Sequence, residues 1–305
     1  MTVSRRKFLQ ASMAAAVIAR SRLAVTEGQP LLITRAIPST GEKLPVIGLG
    51  TNRYGVTSAA DLAARREVLR RMPELGGRVV DTAPAYGASE DVIGRLVGEL
   101  KNRDRLWFAT KVTAPTGGAA EGRKMLDESF RRLRTERLDL VQVHSLNGVR
   151  EMLPVLREQK KAGRLSYVGV TTSRDDQYGE LLEIMRREPL DFIQVDYSIS
   201  DRNAADKILP LAAARGTAVL ANLPLGRGSA LAKVKGKPLP GWAAQIDATS
   251  FPQLFLKYVV SHPAVTVAIP GTTKVEHLED NLGAARGRLP DAAMRRTIEK
   301  FFDAL

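Results

Sequence analysis

Four side chains in this 305-residue sequence are spaced so that they could share one reaction. Asp81 ends the run Val79-Val80-Asp81, Lys111 ends Ala109-Thr110-Lys111, and His144 ends Val141-Gln142-Val143-His144, while Tyr86 follows Asp81 by five residues. If the three runs are neighbouring parallel strands, an acid, an ammonium and an imidazole emerge at one end of the sheet. A phenol has a free pKa of about 10 and is a weak acid at neutral pH. An ammonium beside it favours the phenolate and lowers that value, and a carboxylate beside the ammonium keeps it charged and in place. An imidazole can donate a hydrogen bond to a substrate oxygen. Such a set is a proton donor placed over a carbonyl. It contains no nucleophile–base pair and no metal cluster. Singly, Asp81 reads as a turn cap, Tyr86 as a core aromatic, Lys111 as a surface residue and His144 as a core histidine. Their shared strand end is what favours chemistry.

Composition narrows the alternatives. Cys is absent, which excludes a disulfide framework, Cys-ligated zinc, iron–sulfur ligation and a cysteine nucleophile. Three His (His144, His262 and His277) are too few for a multi-histidine site. At 44% hydrophobic and 26% charged, the chain has ordinary globular composition. The net charge of +13 raises the question of nucleic acid. Five of the basic residues, however, lie in residues 1–22, and the densest later run, 131–137, includes Glu136 and has helical period, as a solvated face does. Scattered cations suit a small anionic ligand better than a polymer, so no nucleic-acid partner is expected. No stretch of 18 apolar residues occurs, so no stable membrane span is expected.

The beginning of the chain reads as an address. MTVSRRKFLQ is basic and is followed by the nine apolar or small residues ASMAAAVIA. As a helix, nine residues reach only about 14 Å, too short to cross a bilayer. Ser4-Arg5-Arg6-Lys7-Phe8-Leu9 resembles a twin-arginine export signal. Residues 1–29 are therefore expected to be a signal peptide recognised by the twin-arginine machinery, with the periplasm as destination. Residues 30–305 are expected to form one folded domain.

The chemistry-bearing positions need elements to carry them. Short apolar runs at 46–51, 78–82, 107–112, 138–144, 165–171, 191–197, 217–222 and 265–270 are continuous rather than alternating, as strands buried on both faces are. Amphipathic stretches at 58–72, 88–100, 122–134, 149–161, 175–187, 203–215 and 250–260 separate them, and a last helix is expected over 291–302. Ser58 with Asp61 makes a capping-box start. Eight strand–helix units of about 32 residues each predict an α/β (β/α)8 TIM barrel. Its competitor, a doubly wound sheet, needs a Gly-rich turn opening directly into a helix, and Gly48-Leu49-Gly50 has no third glycine. Residues 31–37 and 44–47, joined by Ser39-Thr40-Gly41-Glu42, predict a leading β-hairpin. The Gly- and Pro-rich segment 226–249 is expected to be a long irregular insertion, and insertions of that length in a compact domain are usually functional.

The run Asp81-Thr82-Ala83-Pro84-Ala85-Tyr86-Gly87-Ala88-Ser89-Glu90, followed by Lys111 and His144, resembles the aldo-keto reductase superfamily, in order and spacing over nearly all of 31–305. The resemblance implies a barrel whose bottom is closed by the hairpin. Tyr86 would be the general acid, tuned by Lys111 and Asp81, with His144 orienting the carbonyl. The implied cofactor is NADP (NADPH), with NAD as the alternative, bound without a Rossmann domain. Thr171, Thr172 and Gln194 would hold the nicotinamide carboxamide. Asn222, in Ala221-Asn222-Leu223-Pro224-Leu225-Gly226, stands where the family often stacks a Tyr, and Tyr197 is an alternative ring nearby. Leu223, Leu225 and Gly226 belong to the same cofactor-side loop. Gly271, Thr272 and Thr273 correspond to the phosphate-binding turn, which sits at a helix N-terminus. Many relatives carry Lys and Arg where Gly271 and His277 stand, leaving Lys274 to meet a 2′-phosphate. Asp280 and Asn281 correspond to adenine-side contacts. The substrate would be a small carbonyl compound or alcohol, its pocket shaped by 52–57, 114–121, 145–148 and 226–249. Two other readings remain open on the residues alone. One is a Schiff-base barrel lyase using Lys111; the other is a cofactor-binding regulatory barrel with little turnover.

Overall fold

The computed structural model describes residues 31–114, 116 and 118–305, and the export signal expected over residues 1–29 lies outside them. The described chain begins with a hairpin of β1 (Thr34–Ala36) and β2 (Lys43–Pro45), antiparallel with Arg35 opposite Leu44. Strands and helices then alternate: β3 (Leu49–Gly50), α1 (Ala59–Glu74), β4 (Val79–Asp81), α2 (Ser89–Leu100), β5 (Trp107–Val112), α3 (Gly118–Leu133), β6 (Leu138–Val143) and α4 (Val149–Lys161). They continue through β7 (Leu165–Thr171), α5 (Tyr178–Arg187), β8 (Phe192–Asp196), α6 (Ala204–Arg215), β9 (Ala218–Asn222), α7 (Ser229–Lys233), α8 (Phe251–Val260), β10 (Val267–Ala268), α9 (Val275–Gly283) and α10 (Ala292–Asp303).

Strands β3 to β10 lie side by side in chain order, all parallel. The ends of this sheet meet. Gly48 N–H donates to the Ala268 carbonyl at 2.8 Å and Gly50 N–H to that of Pro270 at 3.0 Å, so the first strand pairs with the last and the barrel closes. This is the expected (β/α)8 barrel. β3 and β10 are shorter than expected, and Pro270, with no N–H to give, stops β10. Segment 226–249 is more ordered than expected: it carries α7 and a 3-10 turn over Gly241–Ile246. The capping expectation holds at α1, where Ser58 Oγ accepts from Asp61 N–H at 3.1 Å.

Strand parity divides the barrel interior into layers. The lower inward positions, Val79, Trp107, Ala109, Leu140, Tyr167, Phe192, Ala218, Leu220 and Val267, form one apolar cluster with Ile37 and Leu44 of the hairpin region. Trp107, Tyr167 and Phe192 pack ring against ring at centroid distances of 5.5–6.1 Å. The hairpin is tied on by Tyr167, whose hydroxyl donates to Glu42 Oε2 at 2.8 Å. One step further along the same strands, the inward positions turn polar: Asp81, Lys111, Thr171, Gln194 and Asn222. The dry, plugged bottom gives these groups a rigid floor.

Candidate active site

The polar ends open into a cavity of about 750 Å³ at the C-terminal end of the strands. That is the usual size of a small-molecule or cofactor site. Asp81 and Lys111 lie at its base, 2% and 1% exposed. Lys111 Nζ donates to both Asp81 oxygens, at 2.8 and 2.7 Å, and to the Thr82 carbonyl at 2.9 Å. Burial works to lower the Lys111 pKa, but the Asp81 carboxylate outweighs it and holds the ammonium above its ordinary value. Burial also pushes the Asp81 carboxyl up, opposed by Lys111 and by a hydrogen bond from Gln194.

Tyr86 ends a single 3-10 turn, Pro84–Tyr86, directly after β4. Gly87 follows at φ +61° and ψ −129°, a conformation that a side chain would oppose. Gly55 lies beneath this turn, where a Cβ would sit 3.0 Å from the Tyr86 carbonyl oxygen. Lys111 Nζ is 5.2 Å from the Tyr86 ring centroid, and the His144 ring stands edge-on to it at 6.1 Å. Here the structure corrects the sequence expectation. Burial pushes the Tyr86 phenol above its ordinary value, and the pull of Lys111 in the other direction does not overcome it. The phenol is therefore fully protonated at neutral pH, as a proton donor must be. His144 is pushed down to about 4 by burial and by Lys111, so it is neutral. The two residues after it, Ser145 and Leu146, both take positive φ.

Asp81, Tyr86, Lys111 and His144 thus converge on one cavity, together with Thr171, Gln194, Asn222, Leu223, Leu225, Gly271, Thr272, Thr273, Lys274 and His277. Four expected cofactor residues do not line it. Thr172 Oγ1 donates to Gln177 Oε1 at 2.5 Å. Asp280 accepts from Ser250 Oγ at 2.8 Å and Gln253 Nε2 at 2.8 Å, joining α9 to α8. Asn281 is buried on the same helix. Gly226, at φ +58°, has Ser200 Oγ where a Cβ would go. Tyr197 does not reach the cavity either: it is 1% exposed, stacks on Tyr258 at 6.0 Å and accepts from Arg295 Nη2 at 2.6 Å. The expected loops contribute Asn52, Arg53, Ser145, Arg227, Gly228 and Leu231, whereas no described residue of 114–121 lines the cavity. Arg227 lies close enough to act electrostatically on Tyr86. Nothing in the local sequence singled it out beyond its place in a Gly-rich insertion.

Comparison with known proteins agrees with this geometry. The model of the aldo/keto reductase family matches residues 46–300. The chain belongs to the aldo/keto reductase family. Among curated relatives, the aldo-keto reductase YhdN of Bacillus subtilis is 30% identical over 192 residues, which span 58% of this chain and 57% of that protein. An uncharacterized oxidoreductase of Mycobacterium bovis is 28% identical over 292 residues, 81% of this chain and 88% of the relative. Among solved structures, an aldo/keto reductase from Klebsiella pneumoniae in complex with NADP and acetate superposes with a TM-score of 0.72 at 26% identity, covering 86% of this chain and 93% of that one. Among the described residues, no helix is long and apolar enough to cross a membrane.

Proposed function

We propose that this aldo/keto reductase uses NADP(H) to interconvert aldehydes or ketones and alcohols, with Tyr86 as the general acid. The observation that carries the reading is the buried Lys111–Asp81 ion pair beneath a protonated Tyr86 phenol and beside a neutral His144, all at the floor of one cavity. The Klebsiella neighbour, which binds NADP, supports the choice of cofactor. The residues present suit a dinucleotide phosphate. Arg53, Arg227 and Lys274 surround the cavity, and Lys274, as N-cap of α9, places no side-chain acceptor over that helix's first N–H groups, which therefore remain available to an anion.

When bound, the reduced cofactor supplies a hydride to the carbonyl carbon. His144 donates to the carbonyl oxygen and holds it toward Tyr86. Tyr86 gives its proton to that oxygen as negative charge develops there, completing the alcohol. The Lys111 ammonium stabilises the phenolate left behind, and Asp81 keeps the ammonium charged and fixed. The same pair speaks against a Schiff-base lyase, whose lysine must be neutral to attack. Titration with NADPH and NADH, followed by turnover on an aldehyde and ketone panel, tests the reading. Binding of NADPH with reduction of at least one carbonyl class supports it; absence of dinucleotide binding refutes it.

The same proposal takes residues 1–29 as a twin-arginine signal and the periplasm as destination, on the strength of Ser4-Arg5-Arg6-Lys7-Phe8-Leu9. Replacing Arg5 and Arg6 by Lys should leave the protein in the cytoplasm on fractionation. Normal export of that variant would remove the address.

A further inference from the structure

Tyr86 and Lys111 stand on different elements, so the geometry between them depends on how the first turn of α2 is fixed to β5. Ser89 and Glu90 open α2 directly after the Tyr86 turn. Ser89 Oγ donates to the Thr51 carbonyl at 2.9 Å and lies 3.1 Å from Thr82 Oγ1, closing the base of the loop that carries Tyr86. Glu90 reaches the other way. Its Oε1 accepts from Thr110 Oγ1 at 2.6 Å and its Oε2 from Ser129 Oγ of α3 at 3.2 Å, with Arg132 Nη1 3.7 Å from Oε2. Thr110 precedes Lys111 on β5, so the strand that turns Lys111 into the barrel turns Thr110 outward to Glu90. One helical turn further along α2, a Cβ on Gly94 would collide with the Arg132 carbonyl, so α2 lies directly against the end of α3.

This is a costly way to hold a helix. Glu90 is fully buried, and burial pushes its carboxyl above the ordinary value, opposed by the Thr110 and Ser129 hydroxyls. An apolar side chain would pack the same elements at lower cost. What the carboxylate adds is direction, because its two hydrogen bonds fix one orientation and one register of α2 against β5 and α3. We propose that Glu90 is a positioning residue, which by bonding Thr110 holds the turn before α2 so that the Tyr86 hydroxyl stays within reach of Lys111. Glu90 does not line the cavity, so it acts through Tyr86 and not on the reactants. The inference rests on the reading of Tyr86 as general acid given above. A displacement of the phenol by about 1 Å is enough to cost about a hundredfold in rate.

Single-turnover oxidation of NADPH by an aldehyde that the parent reduces, read beside NADPH affinity and thermal unfolding, tests this in a double-mutant cycle with Tyr86→Phe. Glu90→Leu should fold, bind NADPH within about twofold of the parent and react about ten- to hundredfold more slowly. Glu90→Gln keeps an acceptor for Thr110 and should stay within about threefold of the parent rate. Thr110→Val removes the donor with almost no change of shape; it should slow the reaction as Glu90→Leu does, and it carries the test if Glu90→Leu fails to fold. In the Tyr86→Phe background, Glu90→Leu should cost less than about threefold, because no proton donor is left to place. General damage to the barrel would instead slow both backgrounds by the same factor. The proposal is overturned by such equal slowing, by the parent's rate in Thr110→Val, by a loss confined to NADPH affinity, or by Glu90→Gln reacting as slowly as Glu90→Leu. If Tyr86→Phe alone reacts at the parent's rate, the general-acid reading fails and this inference fails with it.

Discussion

Replacing Asp81 by Asn keeps the shape of the side chain and removes one charge from a pair that is almost entirely buried. Lys111 Nζ has three acceptors, two of them the Asp81 oxygens. In the variant one amide oxygen remains, and an NH2 group faces the ammonium. Breaking a buried pair by removing one partner costs about 3–5 kcal/mol. For a domain of this size that corresponds to a drop in Tm of about 5–10 °C. Adding Lys111→Met to Asp81→Asn removes the stranded charge and should restore about half of the lost stability or more. It should restore no activity, because the phenolate then has no cation beside it. Thermal and urea unfolding of the four proteins in this cycle, with carbonyl reduction measured on each, separates the two roles of the pair. The reasoning is refuted if Asp81→Asn unfolds within about 1 kcal/mol of the parent, or if the double variant is less stable than Asp81→Asn alone.

Two further outcomes are expected. Lys274 is exposed and only 4.0 Å from Glu276, so Lys274→Ala should weaken NADPH by about 1 kcal/mol and NADH by less, as read by titration; equal losses would place the 2′-phosphate elsewhere. His144 stays neutral in the folded protein down to about pH 4, while in the unfolded chain it takes up its proton near pH 6.5. Between these values the unfolded state binds more protons, so stability falls as pH falls, and His144→Asn should flatten the slope by up to about 1.4 kcal/mol per pH unit. His262, pushed down to about 4 as well, keeps a second contribution in that variant. Denaturant unfolding at several pH values in this window checks the difference, and an unchanged slope would contradict the burial of His144.

The strands were legible because each is a short apolar run, most of them closed by a polar residue, and because parity alone places Trp107, Ala109 and Lys111 on one face of β5. The same strand-end reading found Asp81, whereas Gln194 and Asn222 were named through the family resemblance; both share the inward face of their strands. Closure of the barrel was not written locally: it depends on Ile47 meeting Ala268, far along the chain. α3 starts at Gly118, before the amphipathic period begins, because Gly118-Ala119-Ala120 carries no apolar stripe to reveal it. Asp280 was expected to be a cofactor contact because the family resemblance places it on the adenine side. Which way it faces depends on Ser250 and Gln253 of the α8 region, which no local pattern predicts. Arg227 was missed because its backbone adopts φ 54° in an insertion whose path is set by tertiary contacts. The sign of the Tyr86 shift was misread for a related reason. The residue types named the charges around the phenol, but only the fold determines how deeply it is buried.

The central claim is that Tyr86 delivers the proton. Tyr86→Phe removes the hydroxyl and leaves the ring against His144 and Lys111. The decisive measurement is a single turnover: NADPH-loaded protein mixed with an aldehyde that the parent reduces, with cofactor oxidation followed in time and NADPH affinity determined separately. The account predicts that the Phe variant binds NADPH as the parent does and oxidises it at least about a hundredfold more slowly. Oxidation at the parent's rate by the Phe variant would contradict it.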